Sequence, residues 1–349
     1  MPSIAVERAL AGADLLPLTG TLTAPLPPHV RTAVEEALGE HEVTPPSRGH
    51  AALRESIARS LPAPPDPERE ILVTNGAMHA LSVAFRTLLE PGDEVIVPTP
   101  CYFFAGLIER AGGVFVPVPT REEDGWRWDA DAIERAVTPK ARVLVLTNPN
   151  NPTGYLPARD RIDEVLAVAS RHGLTVITDE AYERCIHEGA LSSAWGAPNV
   201  VLIRSLGKSV AMPAWRLGFL AAEPSVVDAC LRELEWDVIR VSHVAQRAAT
   251  AALDGPQEWL TDLAERYRRD RDAAHAVIAD DAILSAQLPV ATPFLFVNLD
   301  GLSPENLLAA GVAVVDGAAF GAPGYARLPF GGAADLADEL HRRLALATL

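Results

Sequence analysis

Short, almost wholly apolar runs alternate along this chain with stretches whose apolar residues recur every three or four positions. The apolar runs predict strands at 71–74, 94–98, 114–118, 142–147, 174–178, 200–205 and 217–222. The periodic stretches predict helices at 77–89, 102–111, 129–137 and 158–171. Strands that read as continuous apolar runs are buried on both faces. The pattern therefore predicts an α/β fold, with a three-layer α/β/α domain built on a mainly parallel sheet.

The pattern changes on both sides of this region. Helices are predicted at 28–38, 51–61, 224–252, 256–281 and 333–346, and short strands at 294–299, 313–315 and 326–328. We predict three parts: an arm with part of a smaller domain at 1–40, a large domain at 41–250, and a smaller α+β domain at 251–349.

Composition narrows the classes of function. The 349 residues carry a formal net charge of −16, which argues against a nucleic-acid partner, and no apolar run is long enough to predict a membrane span. The three cysteines lack metal or redox spacing, and no His-Glu-x-x-His occurs, so we predict reduced thiols, a cytoplasmic protein and no metal site.

A lysine follows one predicted strand at its carboxyl end. Ser205 ends the strand 200–205 and Lys208 comes just after it, at the edge where open α/β sheets bind ligands. Burial and a nearby cation, for which Arg216 is the candidate, would both favour the neutral amine that attacks a carbonyl. The alternative is an ordinary solvated loop lysine.

Other strand ends carry further candidates. Small residues at 74–78 (Thr-Asn-Gly-Ala-Met) precede a helix and leave backbone N–H groups free for an anion. Tyr102 offers a flat ring face, and Asp179 is either a helix cap or a buried charge with a cationic partner. Arg327 could grip a carboxylate with two donors, although a lone arginine also suits a surface ion pair.

Taken together, these residues resemble the fold-type I, class I/II aminotransferases that use pyridoxal 5′-phosphate. The resemblance covers roughly residues 17–335. Its most specific pieces are Asn-Pro-Thr-Gly at 151–154, Asp-Glu-Ala-Tyr at 179–182, Ser-Leu-Gly-Lys at 205–208 and Trp-Arg-Leu-Gly-Phe at 215–219.

The resemblance implies a role for each candidate. Lys208 would form a Schiff base with the cofactor and shuttle the Cα proton, and Asp179 would hold the pyridine nitrogen protonated. Asn151 and Tyr182 would contact the ring 3′ oxygen, and Tyr102 the ring face. The phosphate would be held by Gly76, Ala77, Ser205 and Arg216, and Met78 would also contact the cofactor. The substrate would be bound by Arg327, Asn151 and Gly20.

The implied activity is transfer of an amino group between an L-amino acid and a 2-oxoacid by a homodimer. Two segments depart from the family pattern: Val43 stands where a tyrosine often reaches the partner's phosphate, and Gly20-Thr21-Leu22-Thr23 replaces a Gly-x-Pro-Asp-Phe loop. The arm offers few cations, so no second-carboxylate site is evident. Another pyridoxal-phosphate reaction on this fold, such as a β-lyase, decarboxylase, cyclase or oxidase, stays an alternative.

Overall fold

Within residues 14–347, the larger of two sheets has seven strands in the order β1-β7-β6-β5-β4-β2-β3. The structure is a computed structural model that describes residues 14–347, so the first part of the predicted arm lies outside it. The strands are β1 Ile71–Thr74, β2 Glu94–Thr99, β3 Val114–Pro119, β4 Ala141–Thr147, β5 Thr175–Asp179, β6 Val200–Arg204 and β7 Gly218–Ala221. Strands β2 to β6 pair in parallel, and β7 is antiparallel to both neighbours. The mainly parallel sheet is confirmed.

Helices cover both faces of this sheet. They are α1 Pro28–Gly39, α2 Ala51–Ser60, α3 Ala77–Leu88, α4 Phe104–Arg110, α5 Ala130–Arg135, α6 Arg159–Arg171, α7 Leu206–Ser209, α8 Pro224–Asp237 and α9 His243–Asp254. In β4, Val143 and Val145 join the core beside α3 and α8, while Leu144 and Leu146 join the core beside α6. Because successive strand residues point to opposite faces, both faces are buried, and the three layers are confirmed.

The smaller sheet is antiparallel, in the order β10-β11-β9-β8. Its strands are β8 Ser285–Ala286, β9 Phe294–Asn298, β10 Val315–Asp316 and β11 Tyr325–Pro329, and its helices are α10 Glu258–Ala279, α11 Pro304–Ala309 and α12 Ala333–Ala347. Leu16 and Leu22 of the arm are buried in the core of this part. The α+β character is confirmed. The domain bounds stay a prediction. Helix α9 continues across the predicted boundary at residue 250.

Two local predictions were wrong. The predicted helix 224–252 is interrupted at 238–242, where Ile239 adopts a left-handed φ of 61° and the Ser242 side chain caps α9. Helix α11 was missed, although its capping box of Ser303 and Asn306 is visible in the sequence. None of the helices between residues 14 and 347 has the length and apolar character that a membrane crossing requires.

Candidate active site

A cavity of about 530 Å³ opens where the carboxyl ends of β4, β5 and β6 approach the start of α3. Eleven of the twelve predicted site residues line it: Gly20, Ala77, Met78, Tyr102, Asn151, Asp179, Tyr182, Ser205, Lys208, Arg216 and Arg327. The twelfth, Gly76, lies beside the cavity, because a Cβ added there would stand 2.9 Å from Nη2 of Arg216. The structure therefore brings the predicted residues to one place.

Lys208 presents its amine to this cavity from the short helix α7. Its Nζ lies 3.9 Å from the centroid of the Tyr182 ring. Burial lowers the pKa of the Lys208 ammonium, Asp179 opposes that shift, and the cation of Arg327 adds to it. Arg327 thus has the effect that the sequence analysis assigned to Arg216. A lowered pKa favours the neutral, nucleophilic amine.

Asp179 is the last residue of β5, and only 5% of it is exposed. Its Oδ1 accepts a hydrogen bond from the backbone N–H of Ala181 at 3.1 Å. Burial raises the pKa of the Asp179 carboxyl, while the Lys208 ammonium and the Ala181 N–H oppose the shift. Of the two alternatives from the sequence, the buried charge near a cation therefore holds, whereas the helix cap does not, because a turn at 181–184 follows the strand.

A buried ion pair fixes the strand ends from which these groups emerge. Glu180 is fully buried, and its Oε2 accepts hydrogen bonds from Nε of Arg204 at 3.2 Å and from Nη2 at 2.7 Å. The other carboxylate oxygen accepts from Ser193. The pair joins the end of β5 to the end of β6 with two charge-assisted bonds that converge on one carboxylate oxygen. Sequence reasoning missed it; an arginine ending an otherwise apolar strand was the available signal.

Arg327 reaches the cavity from β11 between two aromatic rings. Its guanidinium carbon lies 4.1 Å from the ring centroid of Phe294 and 4.8 Å from that of Phe320. Nη1 donates to Oδ1 of Asn151 at 2.9 Å, whereas Nε is buried without a partner. The guanidinium therefore has unused donor capacity for an anion. Phe294 and Phe320 were not predicted, because no local pattern marks either ring.

The start of α3 and Arg216 form an anion-binding corner. Arg216 has a left-handed φ of 51° and is followed two residues later by Gly218. A Cβ at Gly218 would stand 2.7 Å from the backbone nitrogen of Ala77, so glycine lets β7 pass against the start of α3. Free N–H groups of a helix start and a guanidinium together suit a phosphate.

The arm covers the cavity and is attached to the smaller domain. Thr19 and Gly331 exchange backbone hydrogen bonds at 3.0 and 2.9 Å, and the Tyr267 hydroxyl donates to the Thr21 carbonyl at 2.8 Å. Gly20 presses on the ring of Phe294, since a Cβ there would lie 2.1 Å from Cε1. Residues 20–22 thereby form part of the cavity wall.

These groups fit a phosphorylated aromatic aldehyde such as pyridoxal 5′-phosphate. A neutral amine suits the aldehyde, a buried carboxylate suits a protonated ring nitrogen, and the corner at α3 suits the phosphate. Tyr102 lines the same space and offers a ring face. The unpaired Nε of Arg327 leaves a donor for a second anion, such as a substrate carboxylate.

Comparisons with known proteins agree with this geometry. The sequence model described as aminotransferase class I and II matches residues 17–344. A probable aspartate/prephenate aminotransferase of Thermus aquaticus is 33% identical, with 93% of this chain and 89% of that protein covered.

Two solved structures are similar over almost the whole chain. An aspartate aminotransferase from Thermus thermophilus, solved with maleate, has a TM-score of 0.93 and 30% identity and covers 99% of this chain and 96% of its own. An aromatic aminotransferase from Pyrococcus horikoshii has a TM-score of 0.90 and 29% identity, with 99% and 98% covered. This chain belongs to the class I and II aminotransferases, a family of enzymes that use pyridoxal 5′-phosphate.

Proposed function

We propose that this aminotransferase binds pyridoxal 5′-phosphate in the cavity, with Lys208 as its covalent attachment point, and moves an amino group between an L-amino acid and a 2-oxoacid. The observation that supports this most is the meeting of three groups in one space. The Lys208 amine, the Asp179 carboxylate and the incompletely paired Arg327 guanidinium all line the same cavity.

The chain offers a contact for each part of the cofactor. Asp179 would face the ring nitrogen, and Tyr102 would lie against the ring. The other proposed contacts are Gly76, Ala77, Met78, Ser205 and Arg216 at the phosphate, and Asn151 and Tyr182 at the phenolic oxygen. When bound, the cofactor supplies a protonated ring that accepts the electron pair left at the substrate Cα.

The protein side chains then handle protons and orientation. Nζ of Lys208, whose pKa burial lowers, would take the proton from the substrate Cα and return it to the carbon on the far side of the amino nitrogen, which belongs to the cofactor. Arg327 holds the substrate carboxylate, and Asn151 fixes the guanidinium through its bond to Nη1. Holding the substrate in this way sets which bond at Cα is aligned for cleavage.

The attachment point can be tested sharply, because the sequence contains only two lysines, Lys140 and Lys208. We expect the purified protein to be yellow and borohydride to fix the cofactor on Lys208. Lys140 is exposed and lies outside the cavity, so Lys140→Arg is the matched control and should keep the colour. Peptide mapping by mass spectrometry that finds the reduced cofactor on Lys140, or on neither lysine, would remove the proposed role of Lys208.

We also propose that the enzyme is a homodimer, with the segment around Val43 facing the partner. Val43 is 46% exposed and does not line the cavity of its own chain. Trp236 and Ile239 are also exposed, at 89% and 57%, and suit a covered interface. A homodimer would place Val43 where other family members use a tyrosine on the partner's phosphate.

Val43→Tyr should then tighten cofactor binding about tenfold, roughly 1.5 kcal/mol for one hydrogen bond to a charged group. Val43→Phe is the matched control, because it adds the ring without the hydroxyl and should not reproduce the gain. Cofactor titration of the apo-enzymes measures the effect. Equal dissociation constants for parent and Val43→Tyr, or a monomer by light scattering, would place residue 43 away from a partner's phosphate.

The cysteines support a cytoplasmic location, which we propose on the basis of their chemistry. Cys101, Cys185 and Cys230 are all free and buried. Burial raises the pKa of each thiol, to about 12 for Cys101 and Cys185 and to about 11 for Cys230. Such thiols are unreactive and suit a protein that needs no disulfides.

A further inference from the structure

We infer that the substrate side chain occupies an uncharged subsite and that the preferred substrates are amino acids with apolar side chains rather than aspartate or glutamate. This inference rests on the proposed function, in which Lys208 and Arg216 serve the cofactor and Arg327 serves the substrate α-carboxylate. It concerns the part of the cavity wall that would contact the substrate side chain, once those three cations have been assigned.

Among residues 14–347, those three are the only lysine or arginine side chains that line the cavity, and Asp179 is its only acid. Each has a proposed partner: the cofactor aldehyde for Lys208, its phosphate for Arg216, its ring nitrogen for Asp179 and the α-carboxylate for Arg327. A second substrate carboxylate would find no cation of this chain left to pair with. Within one chain such a carboxylate would stay unpaired, which is strongly disfavoured in a buried space, so a cation for it could come only from the partner subunit of the proposed homodimer.

Arginines on neighbouring segments are engaged elsewhere. Arg266, next to the arm, donates to the carbonyl oxygen of Thr23 at 2.5 Å. Arg184, which follows Tyr182 by two residues, donates to Oε1 of Gln257 at 2.8 Å. Neither lines the cavity. Moving either guanidinium to a substrate would break a hydrogen bond that it already makes.

The residue directly opposite Arg327 is apolar. Strands β10 and β11 are antiparallel, and Val315 is the partner of Arg327 in that register. Directly opposite residues place their side chains on the same face, with Cβ atoms about 4.5–5.5 Å apart. The group beside the proposed carboxylate clamp is therefore an isopropyl group, and Val315 lines the cavity.

The wall around this point is apolar and partly aromatic. The ring of Phe103 stacks on that of Phe320 at 5.0 Å, and Phe320 in turn lies against the Arg327 guanidinium. Uncharged side chains complete the wall: Thr21, Leu22, Phe103, Leu308, Val314 and Val315. Such a surface stabilises a branched or aromatic side chain through the area that it removes from water.

Binding of two unreactive carboxylates to the holoenzyme tests the inference without catalysis. Both 4-methylpentanoate and glutarate lack an amino group, and they differ in whether the far end is apolar or charged. By calorimetry, we expect 4-methylpentanoate to bind at least tenfold more tightly than glutarate. Equal affinities, or tighter binding of glutarate, would overturn the inference.

The half-reaction separates failure of this inference from failure of the proposed function. Leucine, phenylalanine, aspartate and glutamate are mixed one at a time with the holoenzyme, and conversion of the cofactor to its amine form is followed by absorbance. We expect leucine or phenylalanine to react fastest. If aspartate or glutamate is fastest, the inference fails and the function stands. If no amino acid reacts, the proposed function fails and the inference fails with it.

A variant pair tests the position of the subsite. Val315→Lys adds a cation opposite Arg327, and Val315→Met adds comparable length without charge. We expect Val315→Lys to bind glutarate at least tenfold more tightly than the parent and 4-methylpentanoate more weakly. The methionine variant should keep the parent's ranking. If the two variants change both affinities alike, Val315 does not border the side-chain subsite.

Discussion

Asp179→Asn should reduce turnover by at least about a hundredfold, close to 3 kcal/mol of lost transition-state stabilisation, while the protein stays folded. The carboxylate stands at the end of β5, and the asparagine carbonyl can still accept the Ala181 N–H that Oδ1 accepts now. The amide cannot, however, hold a ring nitrogen protonated. The electron pair released at Cα is then poorly stabilised, and some cofactor binding remains.

A matched control separates this effect from a general loss of a buried acid. Asp270 is also buried, and its carboxylate accepts backbone N–H groups of Gly332 and Ala334 at 2.9 and 3.0 Å, away from the catalytic cavity. Asp270→Asn should lower the melting temperature but leave the turnover of folded enzyme close to the parent's. Steady-state rates of Asp179→Asn within about threefold of the parent, under ~1 kcal/mol, would remove Asp179 from the proposed role.

Arg327→Ala should weaken binding of amino-acid substrates by roughly 2–4 kcal/mol, whatever their side chain, because a two-pronged contact with the α-carboxylate is lost. Arg327→Lys keeps the charge but loses the two-pronged donor geometry, so its affinity for amino acids should lie between those of the parent and the alanine variant. The measurement is the apparent dissociation constant for several amino acids. The exposed Arg342, which pairs with Glu339, gives Arg342→Ala as a neutral control. Unchanged affinity for several amino acids in Arg327→Ala would place that residue outside the substrate site.

The sequence predicts well what depends on local pattern. Buried parallel strands read as apolar runs, so their ends could be located, and residues at those ends meet at one edge of the sheet. That is why Asp179, Ser205 and Lys208 could be assigned to one site before their distances were known. The break before α9 shows the opposite case, because a periodic pattern runs across an interruption in which Ile239 is left-handed and Ser242 caps the next helix.

Contacts between distant segments could not be predicted in the same way. Phe294 reaches Arg327 from β9 and Phe320 from the end of the short 3₁₀ helix Gly317–Phe320, and their order along the chain does not reveal which ring faces the guanidinium. The register that sets Val315 opposite Arg327 likewise depends on strand pairing across a connection. Contacts between distant segments determine which substrate side chain fits, so the motifs alone could not predict it.

Because the arm is attached to the smaller domain, the arm would cover the cavity in the same movement in which Arg327 binds the substrate carboxylate. The arm's bonds to Gly331 and Tyr267 place residues 19–21 on the same body as β11. Any rotation of the smaller domain toward the large sheet would carry Gly20 and Arg327 together. The arm would then close over the cavity as the guanidinium reached the substrate carboxylate. A substrate that cannot bind Arg327 would then also fail to close the arm over the cavity, and water would remain in contact with the reacting carbon. Discrimination against molecules without a carboxylate would thus act on the rate of the chemical step as well as on binding.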